Sequence, residues 1–159
     1  MKSYIKIVQL MPSDFVRFSS RNNLAPETEV LKQFYDWAAG HDMFNRPDLF
    51  HGFGFNNPVA SSGSLRGYDI IFMIPDGFEP GGNMVKERFD GGLYAVCRVK
   101  GVENIPLVAG SIVEWLKEQD LYESAYPEDY DYYNLPSLEL ENFVVPPGQN
   151  IDEIVIDYY

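Results

Sequence analysis

The sequence predicts an α+β fold: two pseudo-symmetric strand–helix–strand–strand repeats whose antiparallel sheets flank a central cleft. Three observations carry this expectation. Two helical stretches each open at a proline and hold a tryptophan near their third turn, Trp37 and Trp115. Strand-like segments bracket each of them in one order: strand, strand, helix, strand, strand. The pattern recurs at about half the chain length, too long for a solenoid unit, so the repeats span about residues 1–80 and 81–159. Residue identity between the halves is weak, and the repeat is one of pattern. A chain of 159 residues fits one domain built from two such halves, and a ligand site commonly lies between halves of this kind.

In chain order, Tyr4–Leu10 reads as a strand, Pro12-Ser13-Asp14 as a turn signal, and Phe15–Ser19 as a further extended run. Pro26–Ala39 reads as a helix, with Pro26 at the first helical position and Gly40 just past the end. Val30, Leu31, Phe34, Trp37 and Ala38 give it one apolar face. His51–Asn57 is strand-like, then come a Ser/Gly loop and Tyr68–Ile74, whose both parities are apolar, as in a central strand. In the second half Met84–Phe89 and Leu93–Val99 read as strands joined by a tight hairpin turn at Asp90-Gly91-Gly92. Pro106 opens a helix to about Leu121, with Val108, Ile112, Trp115 and Leu116 on its apolar face. A Tyr/Asp/Glu/Pro loop covers Tyr122–Pro136, and Leu138–Phe143 and Glu153–Tyr158 close the chain as strands. Both tryptophans lie on apolar helix stripes, where core packing is the expectation.

Composition narrows the function. Twelve Lys and Arg stand against 24 Asp and Glu, for a net charge of −12. That excludes a nucleic-acid grip built on phosphate neutralisation and disfavours an anionic membrane surface. It favours cationic partners. Aromatics reach 15% and the apolar fraction 45%, enough to bury a core. Cys97 is the single cysteine, so no internal disulfide forms, which points to a reducing, cytoplasmic setting. With His41 and His51 as the two histidines, a Cys/His zinc site lacks ligands. No phosphate-binding loop, dinucleotide fingerprint or zinc-protease motif occurs, and neither a cofactor nor a metal is expected.

Several segments carry a resemblance in the right order: Phe53-Gly54-Phe55-Asn56-Asn57-Pro58, Gly67-Tyr68-Asp69, Phe89-Asp90-Gly91-Gly92-Leu93-Tyr94-Ala95-Val96, Leu138-Glu139 and Ile154-Val155-Ile156-Asp157-Tyr158. Together they resemble the GyrI-like small-molecule-binding domain, the effector-binding domain of many bacterial transcription regulators. The resemblance implies a cleft between the two halves and, at its centre, a carboxylate that meets cationic, aromatic, drug-like ligands. By position in the Leu-Glu strand motif that role falls to Glu139, with Glu141 two residues on as the competing candidate. The chain begins directly in the effector domain, which implies a stand-alone binder rather than a DNA-binding regulator.

Strand alternation sets Glu139, Glu141 and Phe143 on one face and Leu138 and Leu140 on the other. If the leucines pack on a helix, both carboxylates face the cleft. A partly buried carboxylate is costly unless paired, which a cationic ligand would provide, and aromatic faces add cation–π attraction. Candidate cleft walls are Phe53, Phe55 and Asn57, which share a side, with Tyr68 and Tyr94. Tyr68 also shares a side with Ile70, Phe72 and Ile74, so ordinary core packing stays open for it. The Tyr122–Tyr133 stretch is either a lid over a cationic guest or a solvated acidic loop.

The leading expectation is therefore capture of a small hydrophobic, cationic or aromatic compound, with no direct nucleic-acid or membrane contact. Two alternatives stand beside it. One is a hydrolase of reactive cyclopropane-type compounds, which some GyrI-like proteins are, with Glu139 as general base. The other is an acidic interaction protein of gyrase-inhibitor type, with a basic protein partner.

Overall fold

The computed structural model describes residues 4–21, 24–46, 51–57, 67–127, 129, 139–142 and 155–159. They form β1 (Ile5–Leu10), β2 (Ser13–Ser20), α1 (Pro26–Gly40), β3 (Gly52–Asn56), β4 (Tyr68–Ile74), β5 (Glu87–Phe89), β6 (Gly92–Lys100), α2 (Ile105–Lys117), β7 (Glu141–Asn142) and β8 (Val155–Tyr158). The fold is the expected α+β type: one curled, wholly antiparallel eight-stranded sheet with two helices.

Local chemistry explains the elements. Pro26 occupies the first turn of α1, where its missing N–H costs nothing, and Glu27 and Glu29 suit the positive end of the helix dipole. Pro26, Val30, Phe34 and Ala38 fall one turn apart and are all buried. On α2 the same stripe is Val108 and Ile112. β4 is buried along its whole length, as its two-sided apolar sequence requires. Among the described residues no helix is long and apolar enough to cross a membrane.

The strands lie in the order β1-β6-β8-β7-β3-β4-β2-β5. Read from either end, this order exchanges β1 with β5, β6 with β2, β8 with β4 and β7 with β3, which is the pseudo-symmetry of the two repeats. α1 packs on β2 and β4, and α2 on β6 and β8. One sheet face thus carries both helices over a core that includes Val16, Phe18, Val30, Phe34, Ile70, Phe72, Val108, Ile112 and Ile156. The opposite, helix-free face gathers Leu10, Phe15, Phe53, Phe55, Ile71, Met73 and Leu140, with Val8, Phe89, Tyr94 and Tyr159 at its margin.

The expected hairpin at Asp90-Gly91-Gly92 is not one. β5 and β6 do not pair with each other: β5 lies on β2 and β6 on β1. Leu10 opposite Gly92 and Ser13 opposite Phe89 belong to one unbroken register, so two kinked strands cross the molecule as a single ribbon. The glycines serve the kink. Gly91 sits at φ 76°, and a Cβ there would run into the carbonyl oxygen of Leu10.

Other boundaries shift modestly. α1 includes Gly40, while α2 starts at Ile105 and stops at Lys117 rather than near Leu121. The strand expected over Met84–Phe89 contracts to Glu87–Phe89, because the turn closed by Met84 N–H on the Gly81 carbonyl occupies its start. Of Leu138–Phe143, residues 141 and 142 are strand, and Leu140 exchanges two backbone hydrogen bonds with Tyr159. Trp37 is core: its ring meets Phe18, Phe34 and Phe72, and its N–H donates to the Pro80 carbonyl.

Candidate functional site

The two helices cover the flanks of the sheet, and the central strands β3 and β7 lie between them. Gly54 of β3 stands opposite Glu141 of β7, and Glu141 stands opposite Tyr158 of β8. Residues directly opposite share a face. Tyr158 belongs to the helix-side core, so Glu141 also points to the helix-bearing face, into the space between α1 and α2.

There the Tyr68 hydroxyl donates to Glu141 Oε2 at 2.5 Å. Tyr68 is itself buried, at the start of β4. Glu139, two residues before Glu141, accepts a hydrogen bond from Tyr158. The site thus holds two carboxylates, each hydrogen-bonded by a tyrosine. Among the described residues no Lys or Arg forms an ion pair with Glu141. Burial pushes the Glu141 carboxyl up to about 7; the Tyr68 hydrogen bond pulls the other way, and the negative fields of Glu139 and Glu27 add to the rise. Burial and the adjoining carboxylates hold Tyr68 and Tyr158 well above the usual phenol range, so both are hydrogen-bond donors at neutral pH. Tyr126, from the Tyr-rich loop, lies in electrostatic reach of Tyr158.

Of the sequence candidates, Glu139, Glu141 and Tyr68 come together here. Phe53, Phe55, Asn57 and Tyr94 are on the other face of the sheet. Leu140 packs there with Phe53 and Phe55, so the condition that the leucines pack on a helix is not met at Leu140. The Phe53 and Tyr94 rings both pack edge-on against Tyr159, at 5.2 and 6.1 Å. The Asn57 side-chain amide donates to Asp69 Oδ2 at 2.7 Å. Phe143 and most of the Tyr122–Pro136 loop lie outside the described residues. An open recess of about 370 Å³ on the helix-free side is bounded by the ribbon crossing, His51, Phe53 and Met73.

Residue reasoning missed Tyr158 and Glu27. The alternation of Ile156 and Tyr158 on one face of β8 was the available signal for the first. Glu27 had none, because its place beside the sheet centre depends on how α1 docks.

The model of the GyrI-like small molecule binding domain family matches residues 5–145. The chain belongs to this family. No curated protein is significantly similar to it in sequence. Among solved structures, this GyrI-like domain is similar to a hydrolase from Listeria innocua, at 10% identity and TM-score 0.62 over 99% of this chain and 90% of that one. It is similar to the EcmrR C-terminal domain, at 8% identity and TM-score 0.56 over 99% and 96%. It is also similar to SAV2435 bound to tetraphenylphosphonium, at 10% identity and TM-score 0.50 over 98% and 91%. At such identities the likeness is one of fold. The GyrI-like fold here presents its buried carboxyl at the seam between the two repeats.

Proposed function

We propose that this GyrI-like domain captures a hydrophobic, cationic small molecule between its two helices, with Glu141 as the central carboxylate and Glu139 beside it. The observation that carries the reading is the state of Glu141: largely buried, bonded to a neutral phenol, and without an ion-pair partner among the described residues. A carboxylate in that position is costly to ionise, and a cation placed against it offsets the cost. Tyr68 and Tyr158 hold the two carboxylates in place. The family's small-molecule role and the tetraphenylphosphonium complex of SAV2435 favour a lipophilic cation.

Titration calorimetry with tetraphenylphosphonium tests this. Glu141→Gln should weaken binding about 10- to 100-fold, the equivalent of about 1.4–2.8 kcal/mol. Glu139→Gln should weaken it less. Equal affinity in wild type and Glu141→Gln removes Glu141 from the mechanism.

A second reading, hydrolysis, draws on the same carboxyl. A group that titrates near neutrality is matched to general-base work on water, and the Tyr68 hydroxyl orients it. Turnover of a reactive cyclopropane compound, abolished in Glu141→Gln, would favour it over simple capture.

A further inference from the structure

We propose that cation capture by this domain is a proton exchange, in which the arriving cation displaces a proton from the Glu141 carboxyl to solvent. The inference rests on the binding reading above and adds how that site is charged before a ligand arrives. The exchange balances simply: the neutral carboxyl gives up H⁺, and the carboxylate left behind pairs with the ligand cation. No bond in the ligand changes.

The geometry sets this up. Among the described residues, the titratable groups that act on Glu141 are acidic or phenolic. Glu139 stands two residues before it, Tyr68 reaches it from β4, Tyr158 stands opposite on β8, and Glu27 acts on it from the first turn of α1. Its β3 partner is Gly54, which brings no charge. The charged residues at the end of α2, Glu114 and Lys117, are exposed and paired with each other. Four of the described arginines are paired elsewhere: Arg17 and Arg21 bind Asp69 on the helix-free face, Arg98 binds Asp157, and Arg88 binds Asp14.

Burial and the negative fields of Glu139 and Glu27 make ionisation of the Glu141 carboxyl costly. Glu141 keeps a proton in the place a cation would take. The Tyr68 hydroxyl uses one carboxyl oxygen, and the other oxygen carries the exchangeable proton. The upward displacement of Glu141 toward neutrality agrees with this arrangement.

The test has two arms. Calorimetry with tetraphenylphosphonium at pH 6, 7 and 8, in buffers of different ionisation heat, counts the protons released. The expected result is close to one proton per ligand at pH 6, falling toward none above pH 8, with affinity about tenfold tighter at pH 8 than at pH 6. Glu141→Gln should bind with no pH dependence, whereas Glu139→Gln should keep the dependence with its midpoint moved lower. Tight binding with no proton release overturns the exchange while leaving the binding reading intact. The second arm is carboxyl-¹³C NMR titration of Glu141 in the unliganded protein. A titration in the ordinary carboxylate range overturns the exchange whether or not the ligand binds. A near-neutral titration without tetraphenylphosphonium binding at any pH overturns the binding reading, and the exchange falls with it.

Discussion

Glu141 links site chemistry to stability. The folded protein holds its proton more tightly than the unfolded chain does, since its carboxyl titrates near 7 instead of the usual 4.5. Its contribution to folding is therefore favourable at low pH and is lost as pH rises through about 7. A displacement of that size corresponds to about 3 kcal/mol in the limit. Glu141→Gln should then gain stability over wild type on going from pH 5 to pH 8, by about 2 kcal/mol, read as the change in their urea-unfolding difference. A constant difference across that range would mean that the carboxyl titrates normally. At this scale the sequence showed that Glu139 and Glu141 share a face, because alternation is a property of the strand itself. It did not show which face. Leu140 looks as well suited to lying under a helix as to joining Phe53 and Phe55, and only helix docking decides. For the same reason Phe53, Phe55 and Tyr94 read as cleft walls but pack on the helix-free side.

At the scale of elements, the strands β2, β3, β4 and β5 are tied together at one point. Asp69, fully buried in β4, accepts from Arg17 Nη1 at 3.0 Å, Arg21 Nη1 at 2.6 Å and Asn57 Nδ2 at 2.7 Å. Arg17 also forks onto Glu87 of β5, at 3.0 and 2.9 Å, and lies over the rings of Phe15 and Phe55. Burial alone would raise the Asp69 carboxyl, but the hydrogen bonds from Arg21, Asn57 and Arg17 outweigh it and hold it below the usual range. Its stabilisation is thus present at neutral pH and lost only in acid. Asp69→Ala should cost about 2–4 kcal/mol in chemical denaturation, while Arg88→Ala, which breaks an exposed pair, should stay within about 0.5 kcal/mol. Equal effects would mean that the buried cluster has no special weight. Helices and the central strand were legible, because proline placement and apolar periodicity are local. Asp69 was not: it interrupts an apolar run, and its arginine partners come from a strand about fifty residues away in sequence.

Across the whole molecule, the palindromic strand order follows from two repeats that exchange their first strands along the β1–β2 and β5–β6 ribbon. The pattern repeat was readable, but the ribbon was not, since a Gly-Gly pair between two strands signals a hairpin and a kink equally well. Gly91 is the point where the difference matters. Gly91→Val adds a side chain at positive φ against the Leu10 carbonyl, and should lower the melting temperature by several degrees, for a strain of about 1–3 kcal/mol. Gly40→Ala, at a helix end with open space around it, should leave the melting temperature unchanged or slightly raised. Similar losses in both would refute the kinked crossing. On the opposite side of the sheet, among the described residues, the halves join where Gly54 meets Glu141. The backbone of that glutamate stitches one repeat to the other, while its side chain is the acid on offer. A guest held there would rest on the crease of a folded page, gripped by both leaves at once and owned by neither.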